Sequence, residues 1–280
     1  MSKFQCVPSV RQKLLSREGI APGRAFDNIL VLGTAGTWCF VVETSEGLIL
    51  IDALWPGQAC IDIIESGLRA FEHAPEEIRA LLITHGHLDH TGCGGHFVRR
   101  YGVVPYMSRR DYDFICETTR DASDPEQRMD YEVTHFLGDG DTFTLGDTTL
   151  EVFATPGHTP GGLSFLVPAI DQGERHLAMM WGGTNPPVEP TLLAAYFRSL
   201  DRFEAVCRAR GADAVLSNHP FYDNGVEKLA LMRNRLEHVQ NPFVTGAIGV
   251  QKQLQLFREC CIGAIDGTPG SCWAYPLAEG

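Results

Sequence analysis

The sequence predicts an α/β protein: an αβ/βα four-layer sandwich with two mixed β-sheets packed face to face and helices outside. Three observations predict it. Apolar runs of strand length fall into two sets, bounded by turn residues. Segments with a helical apolar period lie between and after them. Three of the apolar runs lead into histidine, so polar side chains would gather along one edge of such a sandwich.

Residues 10–16 read as a short helix, stopped near Gly19 and Pro22. Strand-like runs follow at 29–32, 39–44 and 48–51. From 57 to 71, Ile61, Ile64, Leu68 and Phe71 recur at helical spacing. Residues 80–84 form an apolar strand, 91–101 a helix stopped at Gly102, and 103–107 a returning strand. The polar stretch 109–131 is expected to cover the site as helix plus loop. A second strand set follows at 141–145, 149–153, 163–167 and 177–181. Residues 192–210 form a helix with Gly211 as its stop, 214–217 the last strand, and 226–239 and 250–261 the terminal helices. The expected organisation is one domain over 1–262 and a Gly- and Pro-rich, loosely ordered tail over 263–280.

Composition narrows the function. Hydrophobic content of 44% and charged content of 21% suit a soluble globular chain. Thirty-five acidic against twenty-three basic residues give a formal charge of -12, which disfavours phosphate-rich partners and hence nucleic acid. The nine cysteines include no Cys-x-x-Cys pair, and several, such as Cys39, sit in apolar runs. They read as buried free thiols of a reducing compartment. No signal-peptide core stands in residues 1–24 and no run is long and apolar enough to span a membrane. The expected address is cytoplasmic, unless a leader has been removed, with a small-molecule substrate and neither nucleic acid nor membrane as partner.

The chemistry is concentrated in Thr84-His85-Gly86-His87-Leu88-Asp89-His90, which follows an apolar strand. Clustered polar groups at a buried strand end cost free energy unless something pairs with them, and divalent metal ions are the obvious partner. In an extended chain His85, His87 and Asp89 point to one side while His90 turns away at a helix start, so one turn offers ligands in two directions. Imidazole with carboxylate suits zinc, and also iron or manganese. Two further strands deliver one histidine each: His158 in Pro156-Gly157-His158-Thr159-Pro160-Gly161, and His219 in Ser217-Asn218-His219-Pro220. His73, His96, His135, His176 and His238 match no ligand pattern and read as structural or surface residues.

With these motifs the chain resembles the metallo-β-lactamase superfamily, whose signature is His-x-His-x-Asp-His followed by two later single histidines. The resemblance runs from about Asn28 to His219 and includes Gly36-Thr37 and the strand ending in Asp52, similar to the family's opening hairpin and acidic residue. It implies the metallo-β-lactamase fold. It also implies a first metal on His85, His87 and His158 and a second on Asp89, His90 and His219, with two zinc ions as cofactors. Many hydrolases of the superfamily bridge both metals with an Asp. Here the corresponding strand runs into Gly182-Gly183 with neither carboxylate nor Cys, a pattern similar to the third subclass of zinc β-lactamases. Asp171 or Glu174 would bridge only if that strand were displaced.

The resemblance therefore implies a dinuclear zinc hydrolase that opens a cyclic amide of β-lactam type by attack of a metal-bound hydroxide, with Asp89 orienting the nucleophile. A lactonase or thioesterase of the same superfamily is the alternative, and an iron-dependent persulfide-type oxidoreductase the alternative of another class. For substrate contacts the sequence offers Trp38 and Trp55 as an apolar wall and Thr184 and Asn185 as polar donors. Tyr112, Phe114 and Tyr222 are candidate lid residues.

Overall fold

A computed structural model describes residues 15–187 and 189–266 of the chain. The first seven strands are β1 (Gly23–Phe26), β2 (Ile29–Gly33), β3 (Trp38–Thr44), β4 (Gly47–Ile51), β5 (Ile78–Leu82), β6 (Val104–Met107) and β7 (His135–Phe136). They form one sheet in sequence order, antiparallel from β1 to β4 and parallel from β4 to β7. The second sheet holds β8 (Thr142–Leu145), β9 (Thr148–Ala154), β10 (Leu163–Asp171), β11 (Glu174–Met180) and β12 (Ala214–Leu216), in the order β12-β11-β10-β9-β8. Only β11 and β12 run parallel within it.

The strands read as near-continuous apolar runs because both faces are covered. In β3, Trp38, Phe40 and Val42 enter the layer between the sheets, while Cys39 and Val41 face outward to helices. In β10, Phe165, Val167 and Ala169 meet them from the other sheet, and Leu166 faces outward. The outer helices of the first sheet include α1 (Gln58–Ala70), which buries Cys60, Ile64 and Leu68. Those of the second are α5 (Pro190–Arg210), burying Tyr196, Leu200, Phe203 and Cys207, and α7 (Gly246–Asp266), burying Val250, Leu254 and Phe257. Between them in the chain come α2 (Leu88–Thr91), α3 (Gly94–Tyr101), α4 (Arg109–Thr118) and α6 (Gly225–Arg233). The expected four-layer sandwich is the observed architecture. Gly102 and Gly211 end α3 and α5 in the left-handed conformation, at φ 70 and 75, as their positions suggested.

Several boundaries differ from the sequence reading. The helix expected over 91–101 is two pieces, α2 ending at Thr91 and α3 starting at Gly94, because the Cys93 N–H turns to the Ala53 carbonyl (3.0 Å) instead of a helical acceptor. Strand β5 stops at Leu82, because the Thr84 N–H turns to the Asp52 carboxyl (2.8 Å) instead of a neighbouring strand. The helix expected over 226–239 ends at Arg233, having only Gly225 and Leu229 to bury. β1 and β7 have no sequence signature of their own. β1 is four residues containing Gly and Arg, and β7 is two residues at a sheet end. Helix α7 runs to Asp266, past the expected start of the tail. The rest of that tail, most of the helix expected over 10–16, and Cys6 and Cys272 lie outside the described residues. The cysteines at 39, 60, 93, 116, 207, 260 and 261 are free. No helix among the described residues is long and apolar enough to cross a membrane.

Phe165 has no exposed surface and fills the space between the sheets. Phe165→Ala should therefore destabilise the fold by about 3–5 kcal/mol. Urea unfolding should show this as a lower midpoint with an unchanged slope; a loss under about 1 kcal/mol would contradict a close-packed inter-sheet layer.

Candidate metal centre

Three chain segments, leaving β5 of the first sheet and β9 and β12 of the second, bring their histidines together. After β5 the chain bends through residues 84–87, the His87 N–H meeting the His85 carbonyl at 3.0 Å, and α2 begins after His87 (φ -111, ψ 152). The expectation that His85, His87 and Asp89 share one side fails here. The two-residue period ends at the helix start, so Asp89 and His90 are both helical and Asp89 joins His90. The outcome is two triads: His85, His87 and His158; and Asp89, His90 and His219. Within each, the candidate ligand atoms all lie within 4.8 Å of one another. The triads adjoin, with the His85 and His90 rings 4.0 Å apart.

Four of the five rings are oriented from behind through Nδ1. His90 Nδ1 meets the Asp52 carboxyl at 2.7 Å, His158 Nδ1 the Asn185 carbonyl at 2.7 Å, and His219 Nδ1 the Gly36 carbonyl at 2.9 Å. His85 Nδ1 meets Thr84 Oγ1 at 3.1 Å, and that hydroxyl donates to Asp52. An acceptor at Nδ1 fixes the tautomer and leaves Nε2 as a lone-pair donor. In the second triad the Nε2 atoms of His90 and His219 then face each other at 3.3 Å, with Asp89 Oδ2 at 3.3 and 3.7 Å. Two lone pairs that close repel unless a proton or a metal cation stands between them. Imidazoles and one carboxylate fit a divalent ion such as zinc.

The protonation of the site agrees. Burial, then the neighbouring imidazoles, hold His85 and His158 well below the ordinary histidine value. Burial also lowers His87 and brings His219 to about 4, so these rings are neutral at pH 7 and able to act as ligands. His90 differs: burial opposes its charge, but Asp89 and Asp52 push it up to about 10, so a cation arriving there displaces a proton. Burial works against the Asp89 charge too, yet His90 beside it holds the carboxyl well below the usual range.

Sequence reasoning missed Asp111. This residue, fully buried in α4, accepts from Gly86 N–H (2.8 Å), Thr159 Oγ1 (2.6 Å) and Gly161 N–H (2.5 Å). It thus clasps the His85–His87 turn to the His158 turn. The signal available was Ser108 three residues earlier, whose hydroxyl accepts from Asp111 N–H; that marks a helix start but not where the carboxyl points.

All triad members but the fully buried His90 floor a cavity of about 660 Å³, walled by Trp55, Leu88, Phe114, Ile115, Pro186, Pro187 and Leu192 among others. Trp55 and Phe114 stand where the sequence reading put them. Trp38 does not: it has no exposed surface and packs between the sheets against Phe40 and Gly225, because β3 turns that side inward. Nor is Thr184 on the wall. It is 1% exposed and its carbonyl takes the Tyr196 hydroxyl. Asn185 is on the wall, but its carbonyl holds His158 and its Oδ1 accepts from Tyr222, which lies behind the wall. Tyr112 packs with the core of the first sheet. The other histidines are engaged elsewhere or exposed: His73 with Glu43, His96 with Glu65, His176 with Asp213, His135 against Tyr106, and His238 on the surface. No bridging carboxylate can stand at Gly182 or Gly183. A Cβ there would lie 1.8 Å from the Leu163 carbonyl oxygen or 2.4 Å from the His158 Cβ. Asp171 pairs with Arg235, and Glu174 opposes Asp171 at the other end of the β10–β11 hairpin.

Comparison with known proteins points the same way. A model of the metallo-beta-lactamase superfamily matches residues 32–169. Over 131 residues the chain is 26% identical to a probable polyketide biosynthesis zinc-dependent hydrolase, PksB, of Bacillus subtilis, covering 46% of this chain and 50% of that protein. Over 129 residues it is 33% identical to the N-acyl homoserine lactonase AttM of Agrobacterium fabrum, covering 42% and 46%. The chain thus spans about half the length of these curated relatives. Among solved structures, BJP-1, a subclass B3 metallo-beta-lactamase of Bradyrhizobium japonicum, matches with a TM-score of 0.76 at 25% identity, over 89% of this chain and 94% of that one.

Asp111→Ala would leave three buried donors unpaired and release both turns. It should cost about 3 kcal/mol of stability and lower zinc content after dialysis. Retention of full zinc content at unchanged stability would show that the clasp is dispensable.

Proposed function

The chain belongs to the metallo-beta-lactamase superfamily, and on that premise we propose that it is a hydrolase holding two zinc ions and opening a cyclic amide of the β-lactam type. The observation that carries this reading is the pair of adjoining triads without a shared carboxylate. His85, His87 and His158 would hold the first ion, and Asp89, His90 and His219 the second; iron or manganese suits the same donors. Bound there, the ions supply Lewis-acid polarisation of a carbonyl and a nucleophile available near neutral pH.

The chain's own groups do the rest. Asp52, Gly36 and Asn185 aim the rings through Nδ1. Asp89, ionised beside His90, accepts a hydrogen bond from the attacking water and orients it, which makes it the catalytic residue. The apolar wall excludes bulk water and strengthens each polar contact at the floor.

A second reading, hydrolysis of a lactone or a thioester, is favoured by the likeness to the Agrobacterium lactonase. An iron-dependent persulfide-type oxidoreductase would use the same donors, and metal analysis separates it. The substrate is a small molecule; the net charge of -12 speaks against nucleic acid. Free buried thiols fit a cytoplasmic, reducing address. The chain is proposed to form a single domain that, with α7, reaches Asp266 and so passes the expected boundary at 262.

Elemental analysis of protein purified without added metal should find about two zinc equivalents per chain, and His219→Ala about one. Two equivalents retained by His219→Ala would exclude the second triad as drawn. Asp89→Asn should fold and lose at least about a hundredfold in turnover. Nitrocefin and a carbapenem should be opened by zinc-loaded protein and spared after chelation. No chelator-sensitive opening, beside rapid turnover of a lactone or thioester, would replace the first reading with the second.

A further inference from the structure

Two of the free thiols stand together beside the metal centre. Cys60 is the third residue of α1, and Cys93 lies at the break between α2 and α3. Both are buried in the core of the first sheet, and their thiols hydrogen-bond to each other. The Gly57 carbonyl is common to both: it takes the Cys60 N–H at 3.1 Å and stands 3.8 Å from Cys93 Sγ. The hydrolytic mechanism uses neither sulfur.

Their surroundings make them unequal. Cys60 sits in the first turn of α1, where unpaired N–H groups favour negative charge and no acidic residue competes. The Cys93 thiol donating to it holds Cys60 below its ordinary value against the cost of burial, and the Arg17 guanidinium adds to this. Arg17 is kept there by the Pro56 carbonyl and the Trp55 ring. Cys93 is pushed up, by Cys60 first and then by burial, and keeps its proton. One sulfur is thus the better nucleophile, and the other is a thiol poised to resolve what it forms.

The backbone around Cys93 ties this pair to the site. Cys93 Sγ also reaches the Trp55 carbonyl at 2.9 Å, and Trp55 walls the cavity. The N–H groups of Gly92 and Cys93 donate to the Leu54 and Ala53 carbonyls at 2.9 and 3.0 Å, and the Ala53 N–H to that of His90 at 2.7 Å. A covalent bond draws two sulfurs closer than a hydrogen bond does, and it removes the thiol proton available to the Trp55 carbonyl. The contact has no slack: a Cβ on Gly92 would lie 2.1 Å from the Pro56 nitrogen. Drawing Cys93 towards α1 therefore displaces residues 53–57 and α2 together, and α2 carries Asp89 and His90.

We propose that Cys60 and Cys93 are a peroxide-oxidisable pair whose disulfide weakens metal binding at Asp89, His90 and His219. The Cys60 thiolate attacks one oxygen of hydrogen peroxide, the O–O bond breaks, and the hydroxide that leaves takes a proton to become water. Cys60 is then a sulfenic acid. The Cys93 sulfur attacks the Cys60 sulfur, the S–S bond forms, and the hydroxyl leaves with the Cys93 proton as a second water. Two thiols lose two electrons and one peroxide gains them; a dithiol reductant reverses the change. The pairing stands apart from the hydrolase reading, whereas its effect on the second triad rests on that reading.

The test treats reduced, zinc-loaded protein with a small excess of hydrogen peroxide. Peptide mapping without reductant should join the Cys60 and Cys93 peptides, and dithiothreitol should separate them. Competition with a chromophoric chelator should show the weaker zinc site losing at least about tenfold in affinity on oxidation, the scale of a lost ligand support, and regaining it on reduction. Cys93→Ser should stop at a Cys60 sulfenic acid that dimedone traps. Cys60→Ser, with its fold checked by urea unfolding, should give neither the trapped acid nor the loss of zinc. A Cys60 and Cys93 left unlinked in protein whose other thiols oxidise overturns the pair. A mapped disulfide with unchanged zinc affinity overturns the switch and leaves the metal reading standing. Reduced protein that binds no zinc at the second triad overturns the metal reading and the switch together, while the mapping still decides the pair.

Discussion

A carboxyl group without solvent contact, that of Asp52 at the end of β4, joins the ends of both sheets. Its oxygens accept from the Thr84 N–H and hydroxyl, from His90 Nδ1, and from the Asn218 amide beyond β12. Such a group is expensive to bury and is tolerated only when every lone pair has a donor. Its donors come from the β5 turn, α2 and the β12 turn, so satisfying it brings those three segments to one place. The backbone is bent to reach it: Asp52 and Leu54 hold φ of 63 and 55, left-handed values that non-glycine residues rarely adopt. That bend lets Ala53 and Leu54 exchange hydrogen bonds with His90, Gly92 and Cys93, fixing α2 against the sheet.

From this anchor the site's rigidity follows. The second sheet contributes through Thr84, whose carbonyl accepts from Leu163 N–H at the start of β10. Asp111 then ties the first ligand turn to the His158 turn. Two buried carboxyl groups, one on each side of the triads, hold ligands that originate in different layers. A site supported this way is largely preorganised, with little ordering left to be done when a ligand arrives.

The cavity above the floor has a different origin. Its wall comes from α4, from α5 and from the segments around Trp55 and Pro186, not from the strands that fix the ligands. Floor and wall are therefore physically separable. The floor groups the candidate ligands, and the wall sets what can approach them. One fold serves many substrates for this reason, and the wall here is largely apolar, with Glu189 as a charged member.

The sequence by itself determined the strands whose faces are both buried, the long amphipathic helices, the glycine stops at Gly102 and Gly211, and which histidines end strands. These are local properties, written in the period of apolar residues and in cap chemistry. Tertiary structure decided the rest. That Trp38 faces the inter-sheet layer while Trp55 faces the cavity depends on which side of β3 the second sheet covers. That Asp89 joins His90 depends on where the chain starts its helical turn beneath residues 53–54. Asp111 meets Gly161, fifty positions later, only because the start of α4 packs against the turn between β9 and β10. Strands as short as β1 and β7 exist only because a neighbour offers hydrogen bonds. Apart from β1, which pairs with the adjacent β2, the deciding partner is distant along the chain, and no local pattern records the direction in which a side chain will find it.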